Sequence, residues 1–192
     1  GAAALLGDRV PRLALLAAPW HFSGYGDHGG GVPGWWRGVS PLAEALGGVP
    51  MDLLQPMFWS LDPAGLAAKF EKFGSLPDGA QADAFVALED WSNTGQPLAL
   101  AAARELASDL FGGNMTGRGQ WRVGGERVDP AALHMPVLDV IALRDRIVPP
   151  AAALSSNGPG LPLPLDAGHV GMVVGGRAPV LLWQPLARWL LG

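Results

Sequence analysis

The sequence contains no cysteine, which excludes a disulfide framework, a zinc site built on thiolates and a thiol nucleophile within these 192 residues. The same absence fits a reducing compartment. Charge is scarce, since only 16% of the residues are charged and the formal net charge is −4. No basic block is present on which a nucleic-acid surface could rest. No apolar run approaches the roughly 18 residues that a membrane span needs.

Apolar residues make up 49% of the chain, which is enough material for one packed domain. The 28 glycines and 18 prolines have no collagen-like period and predict a fold rich in loops. The chain opens without methionine, and residues 2–7 are typical of the last turns of a helix that glycine closes. We therefore expect these residues to begin inside a structural element and to form a fragment of a longer protein.

Three short apolar runs predict the strands of a parallel sheet. Residues 12–18 are typical of a strand that is buried on both faces, and residues 136–142 form the second such run. Residues 161–165 form the third run, whose two prolines predict a position at the sheet edge. Residues 178–191 predict a terminal helix, which Pro185 should bend into two pieces.

The long segment between the first two strands is predicted to be mostly helical, apart from a flexible, glycine-rich loop at residues 21–38. Residues 121–128 predict a small hairpin with a Gly-Gly turn. This order of elements favours an α/β layer with a parallel sheet and a helical cap inserted into it. The predicted cap-like insertion spans about residues 21–128, and the core consists of residues 1–20 and 129–192.

Two polar residues follow neighbouring predicted strands. Asp145 comes directly after the second strand, where open α/β sheets place their sites, although a turn aspartate before a proline pair is the alternative interpretation. His169 follows the third strand, and its flanking glycines, Gly168 and Gly171, let the backbone and the imidazole lie close to another group. An acid followed by a histidine matches the chain order of an α/β-hydrolase triad, in which the nucleophile comes first. The carboxylate fixes the imidazole tautomer and stabilises the imidazolium that forms when the histidine takes the proton of the nucleophile.

The nucleophile of such a triad is missing from these residues. No serine lies in a Gly-x-Ser-x-Gly setting and there is no cysteine, so the chain has no nucleophile elbow. The elbow precedes a helix that leads to the next strand, and the first residues resemble the end of that helix. We expect the nucleophile to lie upstream of Gly1, and we expect the chain alone to be inactive.

Five segments carry sequence that is specific to one family. They are residues 15–20, residues 85–98, the hairpin at 121–125, Arg-Asp-Arg-Ile-Val-Pro-Pro at 144–150 and Gly-His-Val-Gly-Met at 168–172. Together these segments resemble polyhydroxyalkanoate synthases and their synthase-like α/β-hydrolase relatives over nearly the whole chain. The resemblance implies the C-terminal part of an α/β-hydrolase domain with a Cys-Asp-His triad, in which Asp145 is the acid and His169 is the base.

The resemblance also implies a function. It indicates a cytoplasmic acyltransferase that polymerises 3-hydroxyacyl-CoA and associates with polyester granules. The implied partners are hydroxyacyl-CoA and a polyester chain or granule surface, and a homodimer is allowed. Neither a metal nor a cofactor is implied, because the coenzyme A thioester serves as substrate, and neither nucleic acid nor a membrane span is expected.

Two residues depart from the family pattern. Asp139 stands where an apolar residue would suit a buried parallel strand, and Leu143 stands where the family commonly has glycine. These departures favour a divergent relative whose missing half carries serine. An esterase or polyester depolymerase on the same scaffold is therefore the first alternative, and a non-catalytic granule-binding protein is the second.

The remaining aromatic and histidine residues are interpreted as structural. Core packing explains the tryptophans better than an acyl path does, and it also explains the apolar face of the last helix. Three histidines have no metal-ligand spacing with one another. The residues concerned are Phe22, Trp35, Trp36, Trp59, Trp91, Asn93, Leu182, Trp183, Leu186, Leu190, His21, His28 and His134.

Overall fold

A computed structural model describes residues 1–192 and shows a mixture of helices and parallel sheet. The strands are β1 (Leu13–Leu16), β2 (Arg122–Val123), β3 (Glu126–Arg127), β4 (Val137–Ala142) and β5 (Leu161–Leu165). The α-helices are α1 (Ala2–Leu6), α2 (Gly26–Gly30), α3 (Val32–Leu46), α4 (Met51–Ser60), α5 (Pro63–Gly74), α6 (Ala80–Asn93), α7 (Leu100–Arg104), α8 (Gly171–Val174) and α9 (Gln184–Leu191). Two π-helical segments are Glu105–Gly112, which continues α7, and Pro179–Trp183, which precedes α9.

The main sheet has β4 at its centre, with β1 and β5 pairing with it in parallel. The predicted α/β class is therefore confirmed, as is the edge position of β5. An edge position suits β5 because Pro162 and Pro164 cannot donate backbone hydrogen bonds to a second neighbour. The predicted hairpin is also present, since β2 pairs with β3 in an antiparallel manner around a turn in which Gly124 and Gly125 have positive φ angles.

The core lies on one face of this sheet. Alternate side chains of β4 (Leu138, Val140 and Ala142) pack in one cluster with Met172 and Leu182 from the elements that follow β5. Leu182 is 1% exposed, and the terminal segment changes from π-helical to α-helical geometry between Trp183 and Gln184, where both residues keep right-handed helical backbone angles.

The exposed side chains correct part of the core prediction. Trp183 and Leu190 of the terminal helix are 52% and 49% exposed, and Trp59 and Trp91 are 47% and 65% exposed, so these four are not core residues. The sequence pattern of a helix shows which side chains are apolar, but it does not show whether another element packs against them. None of the helices combines the length and the apolar character needed to cross a membrane.

The chain divides into two compact units, one formed by residues 1–33 and 107–192 and the other by residues 34–106. The first unit contains the sheet. The second is helical and lies within the range predicted as the cap-like insertion. Inside it, the side chain of Asp62 caps α5 by accepting a 3.0 Å hydrogen bond from the backbone of Gly65.

The prediction of a flexible loop at residues 21–38 is wrong. This segment forms a 3₁₀ turn at Phe22–Tyr25, helix α2 and the first half of α3. Phe22 and Trp36 are buried, and burial of large aromatic side chains outweighs the cost of about 1 kcal/mol that each helical glycine carries. Gly29 is also required sterically, because a Cβ atom there would lie 2.8 Å from the Cβ atom of Tyr25.

Candidate active site

Asp145 lies in a tight turn just beyond β4. Its backbone N–H donates to the carbonyl of Ala142 at 3.1 Å. Its Oδ1 atom accepts hydrogen bonds from the backbone N–H groups of Ile147 at 2.8 Å and Val148 at 2.9 Å. The side chain is fully buried. The turn therefore satisfies one carboxylate oxygen and fixes the direction of the other.

His169 meets that second oxygen. Its Nδ1 atom lies 2.7 Å from Oδ2 of Asp145. The imidazole comes from the loop between β5 and α8, and 33% of its side chain is exposed. Because Nδ1 faces a carboxylate, the neutral ring carries its hydrogen on Nδ1 and its lone pair on Nε2. The structure thus brings together the two residues that the sequence singled out, in a geometry suited to general base chemistry at Nε2.

Backbone hydrogen bonds hold the two loops side by side beyond the strand ends. The N–H of Leu143 donates to the carbonyl of Leu165 at 2.8 Å, and the N–H of Arg144 donates to that of Ala167 at 3.0 Å. The side chain of Leu143 is 52% exposed. This departure from the family pattern is therefore accommodated at the surface.

A third loop comes from the end of β1 and lies against the loop that begins with Asp145. The backbone N–H groups of Trp20 and His21 both donate to the carbonyl of Ala152, at 2.7 and 3.0 Å. Further along this loop, Gly24 touches the backbone of Ala151 so closely that a Cβ atom would overlap it. The close approach explains why glycine occupies this position.

Tyr25 follows Gly24 on this third loop and was not identified from the sequence. Its ring stacks on Phe22 with 5.8 Å between centroids and meets the edge of Phe111 at 4.9 Å. Burial, and secondarily the negative charge of Asp145, raise the pKa of Tyr25 to about 12. A neutral phenol therefore stands near the Asp145–His169 pair. The one available signal in the sequence is that Tyr25 is the single tyrosine of the chain and follows the first strand.

The histidines outside this pair show no comparable geometry. His21 Nε2 lies 3.2 Å from the carbonyl oxygen of Leu154, which agrees with a structural interpretation. No group of three or more histidine, aspartate or glutamate side chains lies close enough together to hold a metal ion.

The chain is similar in sequence to proteins named poly(3-hydroxyalkanoate) polymerase subunit PhaC. It is 26% identical over 201 residues to a poly(3-hydroxyalkanoate) polymerase subunit PhaC of Haloferax mediterranei, covering 97% of this chain and 40% of that protein. It is 29% identical over 204 residues to the protein of the same name from Synechocystis sp., covering 98% of this chain and 53% of that protein. The corresponding protein of Thiocystis violacea is 27% identical over 197 residues, covering 98% of this chain and 55% of the relative.

No family model matches the chain, and no solved structure matches it. The chain spans about half the length of the curated relatives named above, with shares between 40% and 55%. The resemblance to polyhydroxyalkanoate synthases that the motifs predicted is confirmed, because the chain is similar to poly(3-hydroxyalkanoate) polymerase subunits along nearly its whole length.

Proposed function

We propose that these residues supply the acid and the base of a polyhydroxyalkanoate synthase-like acyltransferase with an α/β-hydrolase fold. The observation that carries the proposal is the 2.7 Å contact between His169 Nδ1 and Asp145 Oδ2 at the carboxyl ends of neighbouring parallel strands. Acid and histidine follow successive strands in the chain order of an α/β-hydrolase triad. The chain has no cysteine, so the nucleophilic thiol of the proposed triad comes from outside these 192 residues.

In the proposed reaction, His169 Nε2 takes the proton of the cysteine thiol. The thiolate attacks the carbonyl carbon of the 3-hydroxyacyl thioester, coenzyme A leaves as a thiol with the proton that His169 returns, and an acyl-enzyme thioester forms. The hydroxyl of the next monomer or chain end then attacks this thioester, helped by proton transfer to His169. The ester bond forms and the cysteine thiol is regenerated. Asp145 orients the imidazole and stabilises its charged form.

Within this proposal, about residues 21–128 form a cap-like insertion, and residues 1–20 and 129–192 belong to the core that holds the dyad. The helical unit of residues 34–106 exposes large apolar side chains, including Phe58 at 44%, Trp59 at 47% and Trp91 at 65%. Exposed apolar surface of this kind supports contact with an apolar polyester chain or granule. Such contact, like cytoplasmic localisation, is part of the proposal.

An esterase or polyester depolymerase would use the same pair, with water replacing the hydroxyl acceptor. The experiment that tests the proposal measures both the thiol of released coenzyme A and the polymer formed when the full-length protein is incubated with a 3-hydroxyacyl-CoA. We expect release of coenzyme A together with polymer formation. In His169→Asn we expect the rate of coenzyme A release to fall by about a thousandfold or more. The matched control is His134→Asn, because His134 is exposed and lies outside the site.

Three results would contradict the proposal. Free hydroxy acid without polymer would indicate a hydrolase. Binding to polyester without release of coenzyme A would indicate a non-catalytic granule-binding protein. Equal activity in the His169 variant and in the wild type would show that the dyad takes no part in the reaction.

A further inference from the structure

The centre of β4 holds a buried carboxylate that the proposed reaction does not use. Asp139 is 0% exposed, and its Oδ1 atom has no hydrogen-bond partner. Its Oδ2 atom accepts two hydrogen bonds from Ser155, from the backbone N–H at 2.7 Å and from Oγ at 2.8 Å. A buried carboxylate oxygen without a partner lowers stability, and an apolar side chain at this position would avoid that cost. A contribution other than stability therefore has to explain Asp139.

Strand geometry shows what Asp139 faces. Leu138 and Val140 point into the core cluster, so the alternation of side chains directs Asp139 to the opposite face of the sheet. Ser155 lies on that face, in the connection between β4 and β5. A carboxylate holds this connection near each end. Asp145 accepts a hydrogen bond from the backbone just after β4, and Asp139 accepts one from Ser155 further along, on the way to β5.

The part of the connection between these two anchors carries the third loop of the site. The carbonyl of Ala152 accepts the backbone hydrogen bonds of Trp20 and His21, and Gly24 lies directly against Ala151. Tyr25 is the next residue. The position of Tyr25 therefore depends on a segment that Asp139 holds through Ser155.

We propose that Asp139 is a positioning residue, which fixes residues 150–156 through Ser155 and thereby holds the turn that carries Tyr25 against the loop of the acid Asp145. This inference rests on the proposed function and deepens it, because it assigns the arrangement of the site to a buried residue that touches no reacting atom. The unpartnered Oδ1 atom lowers the stability of the fold, and this loss of stability accompanies the arrangement.

Two substitutions at one position separate positioning from stability. In Asp139→Asn, the side-chain oxygen still accepts both hydrogen bonds from Ser155, and the buried group is uncharged. In Asp139→Leu, both hydrogen bonds are lost, and the unpartnered buried oxygen is removed as well. A merely structural role predicts that the less stable variant is the more impaired one, whereas positioning predicts that Leu impairs the site even where the thermal midpoint is unchanged or raised.

The first readout is the phenolate absorbance of Tyr25, the one tyrosine of these 192 residues, taken in the full-length protein as the difference from a matched Tyr25→Phe variant. With the pKa of Tyr25 near 12, roughly a tenth of the phenol should be ionised at about pH 11 in the wild type and in Asp139→Asn. In Asp139→Leu we expect the larger part to be ionised at the same pH, because a displaced phenol titrates near its ordinary value of about 10. Circular dichroism at that pH tests whether each variant is folded.

The second readout is kcat of the full-length protein near neutral pH. We expect kcat to fall about tenfold in Asp139→Leu, which corresponds to about 1.4 kcal/mol in the activation free energy. In Asp139→Asn we expect kcat to stay within about twofold of the wild-type value. If Asp139→Leu does not fold, Ser155→Ala removes the Oγ hydrogen bond alone and should shift the Tyr25 titration in the same direction. Wild-type titration of Tyr25 in Asp139→Leu or in Ser155→Ala would overturn the inference, and so would equal impairment by Asn and Leu. An inactive full-length protein with the expected titration shifts would refute the proposed function and leave the positioning role intact.

Discussion

Arg144 binds Asp166 across the two loops that carry the candidate acid and base. Its Nε atom lies 2.9 Å from Asp166 Oδ1, and its Nη2 atom donates to the Asp166 carbonyl at 2.9 Å. Arg144 immediately precedes Asp145, and Asp166 is three residues before His169. The ion pair therefore links the loops at the point where the dyad forms.

Substitution of Arg144 by alanine should affect activity more than stability. The two side chains are 65% and 62% exposed, so the pair contributes less than about 1 kcal/mol to the free energy of unfolding. The spacing of the loops changes, however, and we expect kcat of the full-length protein to fall roughly tenfold. Urea unfolding and steady-state kinetics measure the two effects. Arg177→Ala is the control, because the Nη1 atom of Arg177 lies 3.8 Å from Oδ2 of the same Asp166 side chain. Unchanged kcat in Arg144→Ala would contradict the prediction.

Asp145→Asn should separate catalysis from folding. The amide oxygen can still accept the backbone hydrogen bonds of Ile147 and Val148, but the amide N–H₂ then faces His169 and forces the wrong tautomer. We expect kcat to fall by about 10⁴-fold with only a small change in the free energy of unfolding. Asp145→Ala loses the backbone acceptors as well and should cost about 1–3 kcal/mol of stability. A kcat within about tenfold of wild type in the Asn variant would refute the role of the acid.

Much of the sheet could be predicted because local sequence determines it. Continuous apolar runs predict strands, and two prolines restrict β5 to the edge in any fold. Burial on both faces was predicted correctly for β4 but wrongly for β1, where Leu16 is 36% exposed. Asp62 followed by proline marks the start of α5 for an equally local reason, the capping of free backbone N–H groups. The positions of Asp145 and His169 followed from the same logic, since parallel strands bring their carboxyl ends to one edge.

The rest depends on contacts between distant segments. The glycine-rich sequence before α3 has a low intrinsic preference for helix, and burial of Phe22 and Trp36 overrides it. Tyr25 reaches the site through backbone contacts with Ala151 and Ala152, which no periodicity reveals. Asp139 departs from the apolar pattern of its strand, and only the structure shows that Ser155 is its partner.

Ala17 is strained, and glycine should relieve the strain. Its φ angle is +43°, and its backbone N–H is held by the carbonyl of Val140 at 2.9 Å, so the conformation is fixed by β4. Left-handed backbone costs alanine roughly 1–2 kcal/mol, and the greater freedom of glycine in the unfolded chain offsets roughly 0.5–1 kcal/mol of the relief. We expect Ala17→Gly to raise the free energy of unfolding by about 0.5 kcal/mol. The control is Ala18→Gly, at a residue without positive φ, which should lower the free energy of unfolding by a similar amount. Urea unfolding of the two variants measures both changes, and equal destabilisation by the two substitutions would contradict the strain argument.

Tyr25 should make the protein less stable at alkaline pH. Burial, and then the charge of Asp145, raise the pKa of Tyr25 to about 12, whereas the unfolded chain titrates near 10. Between these values the folded protein keeps the proton that the unfolded chain has lost, so the free energy of unfolding falls as the pH rises; below about pH 10 the contribution is fully present. Urea unfolding across this range measures the slope.

Tyr25→Phe tests the cause of that slope, because phenylalanine keeps the ring contacts with Phe22 and Phe111 and has no group to titrate. The slope between about pH 10 and 12 should become shallower in this variant. In Asp145→Asn the phenol keeps its burial and loses the repulsion, so its absorbance midpoint should lie between the ordinary and the wild-type values. A midpoint near 10 in the wild type would show that Tyr25 is solvated, and the third loop would then lie away from the dyad.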